Sequence, residues 1–442
     1  MSLSKKISLT LLFSLLTTIT LTGSSCQSTS TPDDPCADAP DGNCSTPVTL
    51  TIWHPFEDRD IYDSVIADYE DKYPNVTIAY KKMEYDTYEK NLVNALAAGE
   101  GPDIFQIHND WLPKHYDKIS PMPKEIMTLD EYKSTYVDVA VDDFIYQDNI
   151  YSLPLYVDTL ALYYNTKLLE KNNISSPPTT WQQLVSYVHQ ITEKTTNGQD
   201  ILTSGVSLGT SNNINRSSDI LYAMMLQKGT LMTSPDNASA TFALSTEKIT
   251  GEDFYPGTES LDFYTSFANP NNVNYTWNNK MLGSLEAFEK GYTAMTINYS
   301  YQQANIDKFK SPDVRYKVTY LPRIETTDDP ISYANFWSES VNKQSKYSAW
   351  AWHFIKYMSE KSDLINTRSG HPTAIRKVAS NRNNIFNEQS LYAKSFYKVD
   401  SDKVDQIFGN MIDDVSVEKV ASQDAITKAQ NEVTALMINQ RK

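Results

Sequence analysis

Cysteine and histidine are scarce in this sequence of 442 residues. It has three cysteines, none of them after Cys44, and six histidines. It contains no HExxH motif, no CxxC pair and no glycine-rich phosphate loop. Metal and nucleotide sites depend on such residues at such spacings, so the sequence gives neither chemistry support. We therefore expect no metal, no cofactor and no thiol nucleophile in the body of the chain.

Basic residues are also fewer than acidic ones. There are 39 Lys and Arg residues against 55 Asp and Glu residues, giving a formal net charge of −16. Such an acidic surface repels nucleic-acid phosphate and anionic lipid. We expect no nucleic-acid partner.

The composition is that of a globular protein with more than one core. Charged residues make up 21% and hydrophobic residues 40% of the chain, which argues against disorder. A chain of this length suits two domains of about 200 residues each. Most of the 29 tyrosines are expected in the core, but tyrosine also suits binding surfaces that need a flat apolar face with a polar tip.

The N-terminal sequence is typical of an export signal followed by a flexible tether. Lys5 and Lys6 precede an apolar stretch, and LTGSSC, ending at Cys26, resembles a bacterial lipoprotein signal. That resemblance implies removal of 1–25, a lipid on Cys26 and a cell-surface or periplasmic protein anchored to the membrane. With Cys26 lipidated, Cys36 and Cys44 form an even pair in an oxidising compartment, and we predict a disulfide between them. The polar residues of 26–47 predict a flexible tether.

The body begins with the alternation of an α/β fold. Strands are predicted at 48–53, 76–80 and 104–107, separated by helices from about residue 60 and over 85–98. Parallel sheets gather ligands at the carboxyl ends of their strands. The residues there include Glu57 and Asp58 after the first strand, and Asp110 and Trp111 after the third.

A segment at 153–169, LPLYVDTLALYYNTKLL, predicts a strand that crosses between two lobes. It is apolar and β-prone, and Asp158 is its one acid. A carboxylate in such a run is costly unless it is paired or faces a wet cleft. By periodicity alone, an ordinary strand with one solvent-facing Asp explains the segment as well.

The later elements follow from capping and periodicity. Thr180 with Gln183 forms a capping box at the start of a helix. Strands are predicted at 294–297 and 318–322, and helices at 345–358 and 415–438.

Four blocks in this order resemble the extracellular solute-binding proteins of ABC importers, of the maltose-binding type. They are AAGEGPDIFQIHNDWL at 97–112, the 153–169 segment with PPTTWQQL, AFEKGYTAMTINYSYQQANID at 287–307, and SVNKQSKYSAWAWHFIKYM at 340–358. The resemblance implies an α/β, two-lobed periplasmic-binding-protein-like fold (type II), each lobe a mainly parallel sheet flanked by helices. It implies one lobe of 48–157 plus 323–378 and another of 158–322 plus 379–442, closing on a ligand about a hinge.

The resemblance also implies a set of ligand-binding residues. Asp110 matches an acidic position that binds sugar hydroxyls, Asp158 an acidic hinge position, and Tyr301 a stacking Trp. Trp111 stands where the maltose binder has a basic residue, which implies a different ligand preference. The full set of candidates is Glu57, Asp58, Asp110, Trp111, Asp158, Trp277, Tyr299, Tyr301, Trp337 and His371. Glu57 and Asp58 are equally explained as acids that favour a helix N-terminus.

The function this implies is a non-catalytic, monomeric receptor that captures a sugar and delivers it to membrane permease subunits. Sugars have an apolar C–H face and a rim of hydroxyls, so aromatic platforms with Asp, Glu and Asn acceptors suit them. Two alternatives stay open. One is a receptor for another solute, cationic or glycerol-phosphate-like, and the other is an exported carbohydrate-active enzyme, which would need a pair of catalytic carboxylates.

Overall fold

The computed structural model describes residues 46–196, 200–247, 253–324, 330–381 and 384–440. The predicted signal sequence, the predicted lipidation site at Cys26 and the predicted disulfide between Cys36 and Cys44 lie outside these residues. In the described ranges, no helix has the length and apolar character needed to cross a lipid bilayer.

The described chain alternates strands and helices. The strands are β1 (Val48–His54), β2 (Val76–Lys82), β3 (Ile104–His108), β4 (Ile145–Tyr146), β5 (Asn149–Ile150), β6 (Leu153–Pro154), β7 (Asp158–Thr159), β8 (Ala161–Asn165), β9 (Glu193–Lys194), β10 (Ile201–Thr203), β11 (Thr246–Glu247), β12 (Asp253–Phe254), β13 (Met295–Asn298), β14 (Tyr316–Thr319), β15 (Ser332–Asn335), β16 (Trp337–Val341) and β17 (Ala393–Lys394). The α-helices are α1 (Asp63–Lys72), α2 (Tyr88–Ala98), α3 (Leu112–His115), α4 (Leu129–Thr135), α5 (Asp138–Phe144), α6 (Thr166–Lys171), α7 (Trp181–Ile191), α8 (Ser217–Gln227), α9 (Pro256–Ser266), α10 (Ser284–Glu289), α11 (Gln302–Phe309), α12 (Ser348–Glu360), α13 (Ser362–Ser369), α14 (Arg376–Asn381), α15 (Ile385–Ser390), α16 (Ser401–Ser416) and α17 (Ser422–Gln440).

Local sequence signals explain several of these boundaries. Gly99 ends α2 in the left-handed conformation, with φ of 74°, which glycine adopts without steric cost. At the start of α7 the Gln183 N–H donates to Thr180 Oγ1, and the Gln183 side chain accepts from the Thr179 N–H. This arrangement satisfies backbone donors that the helix itself leaves free.

The predicted helix at 415–438 is wrong at its start. α16 ends at Ser416 and α17 begins at Ser422. Between them Lys419 has a φ of 62°, a left-handed conformation that no α-helix can continue through.

Two large hydrophobic cores organise the described residues, and a smaller cluster is formed by Ala161, Tyr163, Phe288, Ile306 and Phe386. The first core draws on residues from 48–157 and 334–393. The second core draws on residues from 160–333 and 399–437. The chain therefore passes from one core to the other three times, near 158–159, at 333–334 and between 393 and 399.

The three passages pair with one another. β7, β15 and β17 form a three-stranded sheet in the order β17-β15-β7, with β15 parallel to β17 and antiparallel to β7. We call it the crossing sheet. The lobe boundaries predicted from the sequence, at 157/158, 322/323 and 378/379, stay a prediction.

The main sheet of each core is mixed or antiparallel. The first core holds a five-stranded sheet in the order β2-β1-β3-β16-β6, in which β1 pairs in parallel with β2 and β3 and β16 is antiparallel to β3 and β6. The second core holds β13-β8-β14, in which both pairings are antiparallel. A mainly parallel sheet was predicted for each lobe, and that detail is wrong for the second core. The α/β class itself is confirmed.

The direction of β13 follows from where its ends must lie. β8 leaves the crossing sheet just after Asp158, whereas β13 runs back toward it and is followed by Ser300, which contacts Asp158. The start of β8 and the end of β13 therefore lie at the same edge of their sheet, so the two strands are antiparallel. Buried strands of either direction read as apolar runs, so the sequence pattern could not separate the two cases.

Candidate functional site

A cavity of about 570 Å³ lies between the two cores, beside the crossing sheet. This volume is in the range of small-molecule binding sites. Its lining residues are Phe56, Glu57, Tyr85, His108, Asp110, Trp111, Tyr156, Asp158, Arg216, Asp219, Tyr301, Asn305, Tyr333, Asn335, Trp337, His371, Lys398, Ser401, Asp402 and Asp405.

One side of the cavity is built at the edge of the five-stranded sheet. Phe56 and Glu57 follow the carboxyl end of β1, and Asp110 and Trp111 follow that of β3. Trp337 is the first residue of β16, whose antiparallel direction brings its start to the same edge. Strand direction alone therefore collects these residues from distant parts of the chain.

Aromatic rings cover this side. The ring centroids of Trp111 and Trp337 are 4.9 Å apart, and those of Phe56 and Trp337 are 5.3 Å apart, both pairs in edge-to-face geometry. Tyr85 is the first residue of a short 3-10 helix (Tyr85–Thr87), and its ring centroid lies 5.0 Å from that of Phe56. We call Phe56, Tyr85, Trp111 and Trp337 the aromatic wall. Its rings brace one another, so it offers a stiff apolar face.

The opposite side carries Tyr301 and Arg216. The Tyr301 ring stacks on Tyr299 at a centroid distance of 6.0 Å. The Arg216 guanidinium donates from Nη2 to the Tyr301 hydroxyl at 2.6 Å and from Nε at 3.1 Å. In the described part of the chain no carboxylate lies within ion-pairing distance of Arg216. Its remaining N–H groups are donors for a hydroxyl or carboxylate of a ligand.

Asp110 is the centre of a buried ion cluster. Its carboxylate lies 2.5 Å from His108 Nδ1 and 3.2 Å from Lys398 Nζ. Lys398 Nζ also lies 3.0 Å from Asp405 Oδ1 and 4.7 Å from the centroid of the Tyr222 ring, over which it packs. Burial raises the pKa of Asp110, but the charges of His108 and Lys398 outweigh it and hold that pKa well below its usual range. Burial lowers the pKa of His108, and Asp110 more than reverses this, leaving that pKa raised.

Glu57 and His371 form a second polar cluster. Glu57 Oε1 lies 2.9 Å from His371 Nε2, and the His371 ring stacks on Tyr156 at 4.1 Å. Burial raises the pKa of Glu57, and the hydrogen bond and charge of His371 outweigh it, so the net pKa is lowered. Within the described residues, Glu57 Oε2 and His371 Nδ1 have no hydrogen-bond partner. Buried polar atoms without partners are costly, which makes these two atoms candidates for contact with a ligand.

Asp158 lines the cavity, yet its carboxylate is occupied by protein donors. Oδ1 accepts from the N–H groups of Thr159 and Ser300, at 2.8 and 3.0 Å. Oδ2 accepts from Ser300 Oγ at 2.7 Å and from the Tyr301 N–H at 3.4 Å. Burial raises the pKa of Asp158, and the hydrogen bonds from Ser300 counter this only in part. These contacts let Asp158 hold the loop that carries Tyr301.

Seven of the ten residues predicted for the site line this cavity: Glu57, Asp110, Trp111, Asp158, Tyr301, Trp337 and His371. Three do not. Asp58 is exposed and lies 3.0 Å from Lys82. Trp277 is buried in the second core, where its Nε1–H donates to Asn213, and Tyr299 is buried with its hydroxyl on Asp219. Tyr299 supports the Tyr301 ring from behind. Whether the seven bind a ligand stays a prediction.

Sequence reasoning missed the two cations of the cavity. Neither Arg216 nor Lys398 lies in any of the four recognised blocks. Arg216 lies in a polar region where no block was recognised, and Lys398 lies in the third passage between the cores. Tyr156 lies within the recognised 153–169 segment, so it was within reach of the sequence argument.

Comparison with known proteins is consistent with this geometry. Residues 64–371 match the family of bacterial extracellular solute-binding proteins. The galactooligosaccharide-binding protein of Bacillus subtilis (strain 168) is 21% identical over 316 residues, which cover 71% of this chain and 69% of that protein.

Solved structures share the fold. An ABC transporter solute-binding protein from Thermotoga lettingae TMO, bound with α-D-tagatose, is 22% identical with a TM-score of 0.68, covering 88% of this chain and 99% of that one. The cyclic α-maltosyl-1,6-maltose binding protein from Arthrobacter globiformis is 17% identical with a TM-score of 0.73, covering 89% and 100%.

The family match extends over more than half of the chain and includes most of the cavity's lining residues. Proteins of this family act outside the cytoplasm and are binding proteins. The chain belongs to the family of bacterial extracellular solute-binding proteins.

Proposed function

We propose that this protein is the carbohydrate receptor of an ABC importer. It captures a sugar in the cavity between the two cores, closes on it about the crossing sheet and delivers it to permease subunits in the membrane. The observation that carries the proposal is the pairing of an aromatic wall on one side with Tyr301 on the other, above polar groups held at fixed positions. A sugar ring presents C–H faces to the rings and hydroxyls to the polar groups.

Most of the carboxylates that line the cavity already have a partner within the protein, which favours a neutral ligand over a cation. Asp110 and Asp405 share Lys398, Asp158 is bound by Ser300, and Asp219 accepts from Tyr299. A cationic solute would have to displace these partners, or share the carboxylates with Lys398 and Arg216 at a cost in like-charge repulsion. A hydroxyl-rich ligand needs no such change.

The location of the protein completes the proposal. We propose that residues 1–25 are removed, that Cys26 carries the lipid and that the segment up to Val48 tethers a monomer to the membrane. A tethered receptor stays near its permease, which raises the effective concentration of the loaded form.

The proposal is tested with the purified protein and a panel of mono- and oligosaccharides, polyamines and glycerol phosphates. Ligand that binds the folded state raises the melting temperature by mass action. We expect a rise with one class of saccharide and recovery of that saccharide unchanged. A rise only with polyamines or glycerol phosphates would overturn the sugar assignment, and conversion of the saccharide to product would favour an enzyme.

Two variants tie the signal to the cavity. Tyr301→Ala removes the platform on one side of the cavity, and we expect affinity to fall about tenfold or more, since a stacked ring contributes up to about 1.5 kcal/mol beyond the area it buries. Phe309→Ala removes another ring, which is exposed and outside the cavity, and we expect it to bind as the wild type does. An equal loss of saccharide affinity in both variants would mean that the loss in Tyr301→Ala does not come from the cavity.

A further inference from the structure

One carboxylate behind the cavity joins two of the segments that meet there. Asp143, near the C-terminal end of α5, accepts a hydrogen bond at Oδ2 from Asn109 Nδ2 at 2.9 Å and another at Oδ1 from Ser395 Oγ. None of these three residues is among those that line the cavity. Any effect of Asp143 on a ligand therefore passes through its neighbours.

The first partner, Asn109, fixes the loop after β3. Its N–H donates to the Phe336 carbonyl at 3.0 Å, and its Oδ1 accepts from the Phe336 N–H at 3.4 Å. Phe336 lies between β15 and β16, directly after the second passage between the cores. The Nδ2 group of Asn109 donates to Asp143. Since the next two residues are Asp110 and Trp111, both contacts hold the loop that presents these side chains to the cavity.

The second partner, Ser395, belongs to the third passage. It directly follows β17, against which α5 packs, and it precedes Lys398 in the same passage. Lys398 Nζ lies 3.2 Å from Asp110 Oδ2, and both side chains are buried. One carboxyl group thus contacts both of the segments whose side chains form this ion pair at the cavity.

We propose that Asp143 is a positioning residue for ligand binding, which sets the distance between the loop after β3 and the third passage and so places the Asp110–Lys398 pair at the wall of the cavity. The inference rests on the proposed function, because it takes the ligand to bind in this cavity. Asp143 holds the two segments at one separation before a ligand arrives, and a site that is already arranged loses less entropy on binding. Asp143 itself makes no contact with the ligand.

The charges around Asp143 make this positioning depend on pH. Burial raises the pKa of Asp143 to about 7, the hydrogen bonds from Ser395 and Asn109 oppose the rise, and the charges of Asp110 and Asp142 add to it. Among the described residues, the titratable and charged groups around it, on its own helix and on the neighbouring elements, include Asp142, Tyr132, Asp110, His108, Lys394 and Lys398.

The sign of the pH dependence follows from the exclusion of water. A ligand that fills the cavity displaces water beside Asp110, which strengthens the repulsion between this carboxylate and an ionised Asp143. Binding therefore favours the protonated form of Asp143, and by linkage the affinity for the ligand falls as pH rises through about 7.

Three variants separate positioning from stability. Asp143→Asn keeps an oxygen that accepts from Asn109 and gains an N–H that donates to Ser395 Oγ, as the protonated carboxyl does. Asp143→Leu has a similarly branched side chain and keeps neither contact. Ser359→Ala is the matched control, because it removes a buried hydroxyl of the first core that meets the Tyr136 hydroxyl at 2.5 Å, and neither residue lines the cavity.

Calorimetric titration of the full protein measures affinity, with maltotriose, galactotriose and tagatose as probes, at about pH 5.5 and about pH 8.5. With a probe that binds, Asp143→Leu is expected to lose about tenfold in affinity at both pH values, and Ser359→Ala is expected to bind as the wild type does. Asp143→Asn is expected to match the wild type at the lower pH, where Asp143 is protonated. At the higher pH it should bind about three- to tenfold more tightly than the wild type.

Hydrogen exchange on the ligand-free protein gives a second readout that needs no ligand. Asp143→Leu is expected to raise the exchange of the amides in 109–112 and 395–398 above that of the wild type and of Ser359→Ala. A wild type that binds none of the probes contradicts the proposed function, and the exchange of these two segments then decides the inference by itself.

Three results would overturn the inference while leaving the proposed function in place. The first is wild-type exchange of both segments in Asp143→Leu, and the second is an equal loss of affinity in Asp143→Leu and Ser359→Ala. The third is a ratio of Asp143→Asn to wild-type affinity that is the same at both pH values, which would show that protonation of Asp143 is not linked to the ligand.

Discussion

Asp158 and Ser300, 142 residues apart in the chain, join the first passage between the cores to the loop after β13. The Ser300 N–H and hydroxyl both donate to the Asp158 carboxylate, at 3.0 and 2.7 Å. The contact fixes Tyr301, the next residue, against the cavity. An acid that stands alone in an apolar run is thereby explained by its partners and not by exposure to solvent.

Replacement of Asp158 tests this account. Asp158→Ala leaves the buried donors of Ser300 and Thr159 without an acceptor, and we expect the free energy of unfolding to fall by about 2–4 kcal/mol. Ligand affinity should fall too, because Tyr301 is no longer held. Urea denaturation and calorimetry measure the two effects.

The matched control for this prediction is Ser300→Ala, which removes a single side-chain donor and should cost about 1 kcal/mol. Wild-type stability in Asp158→Ala combined with wild-type affinity would show that Asp158 neither holds the loop nor binds ligand.

Lys398 is expected to be essential for stability. It is nearly fully buried between Asp110 and Asp405, and Lys398→Met would leave both carboxylates without their shared cation. Breaking a buried ion pair by removing one partner costs about 3–5 kcal/mol. The free energy of unfolding from denaturant titration measures this loss.

Lys403→Met is the control, since Lys403 lies nearby in the sequence, on the helix that follows Lys398, and is exposed, with only a surface contact to Asp400 at 2.9 Å. Such a contact contributes less than about 1 kcal/mol. If Lys398→Met costs no more than the control, the ion cluster contributes nothing to stability.

Asp143 predicts a pH dependence of stability. Its carboxylate accepts from Asn109 Nδ2 at 2.9 Å and from Ser395 Oγ. Burial raises the pKa of Asp143 to about 7, with these hydrogen bonds opposing the rise and the charges of Asp110 and Asp142 adding to it. The folded chain therefore binds more protons at Asp143 than the unfolded chain does between about pH 4 and pH 7.

The sign of the effect follows directly from this difference. Because the folded state holds the extra proton, the free energy of unfolding falls as pH rises through that window. Asp143→Asn should be less sensitive to pH between 5 and 8 than the wild type, by urea denaturation at each pH. The exposed Glu100→Gln should retain the wild-type pH profile. Parallel profiles for wild type and Asp143→Asn would place the pKa of Asp143 outside the window.

The N-terminal predictions are tested by mass. We expect a mature chain that begins at Cys26 with an added lipid, and whose mass increases by two hydrogen atoms on reduction as a Cys36–Cys44 disulfide opens. Two thiols that are free before reduction would contradict the disulfide. An unmodified Cys26 would contradict the anchor.

Local sequence was enough for individual elements and their caps. The predicted strands at 48–53, 76–80 and 104–107 lie within β1, β2 and β3, because β-branched alternation between turn residues has few other stable outcomes. Thr180 acts as predicted, because caps depend on backbone groups within a few residues. The α/β class and the family likewise follow from the order of short motifs.

Side-chain chemistry at the cavity depended on contacts that no local pattern contains. Trp277 and Trp337 are both tryptophans near predicted cleft loops, yet the first is in the second core and the second lines the cavity. Asp110 reads in the sequence as a free acid, and in the structure it is paired with Lys398 from the far end of the chain.

By itself, the sequence determined several of the secondary-structure elements, the α/β class and the family, since these depend on periodicity and on short ordered motifs. The tertiary structure decided the antiparallel direction of β13 and β14, the partners of Asp158 and Asp110, and which rings remain exposed. Those features depend on where the three passages between the cores bring distant residues together, and on how burial and charge then balance at each site.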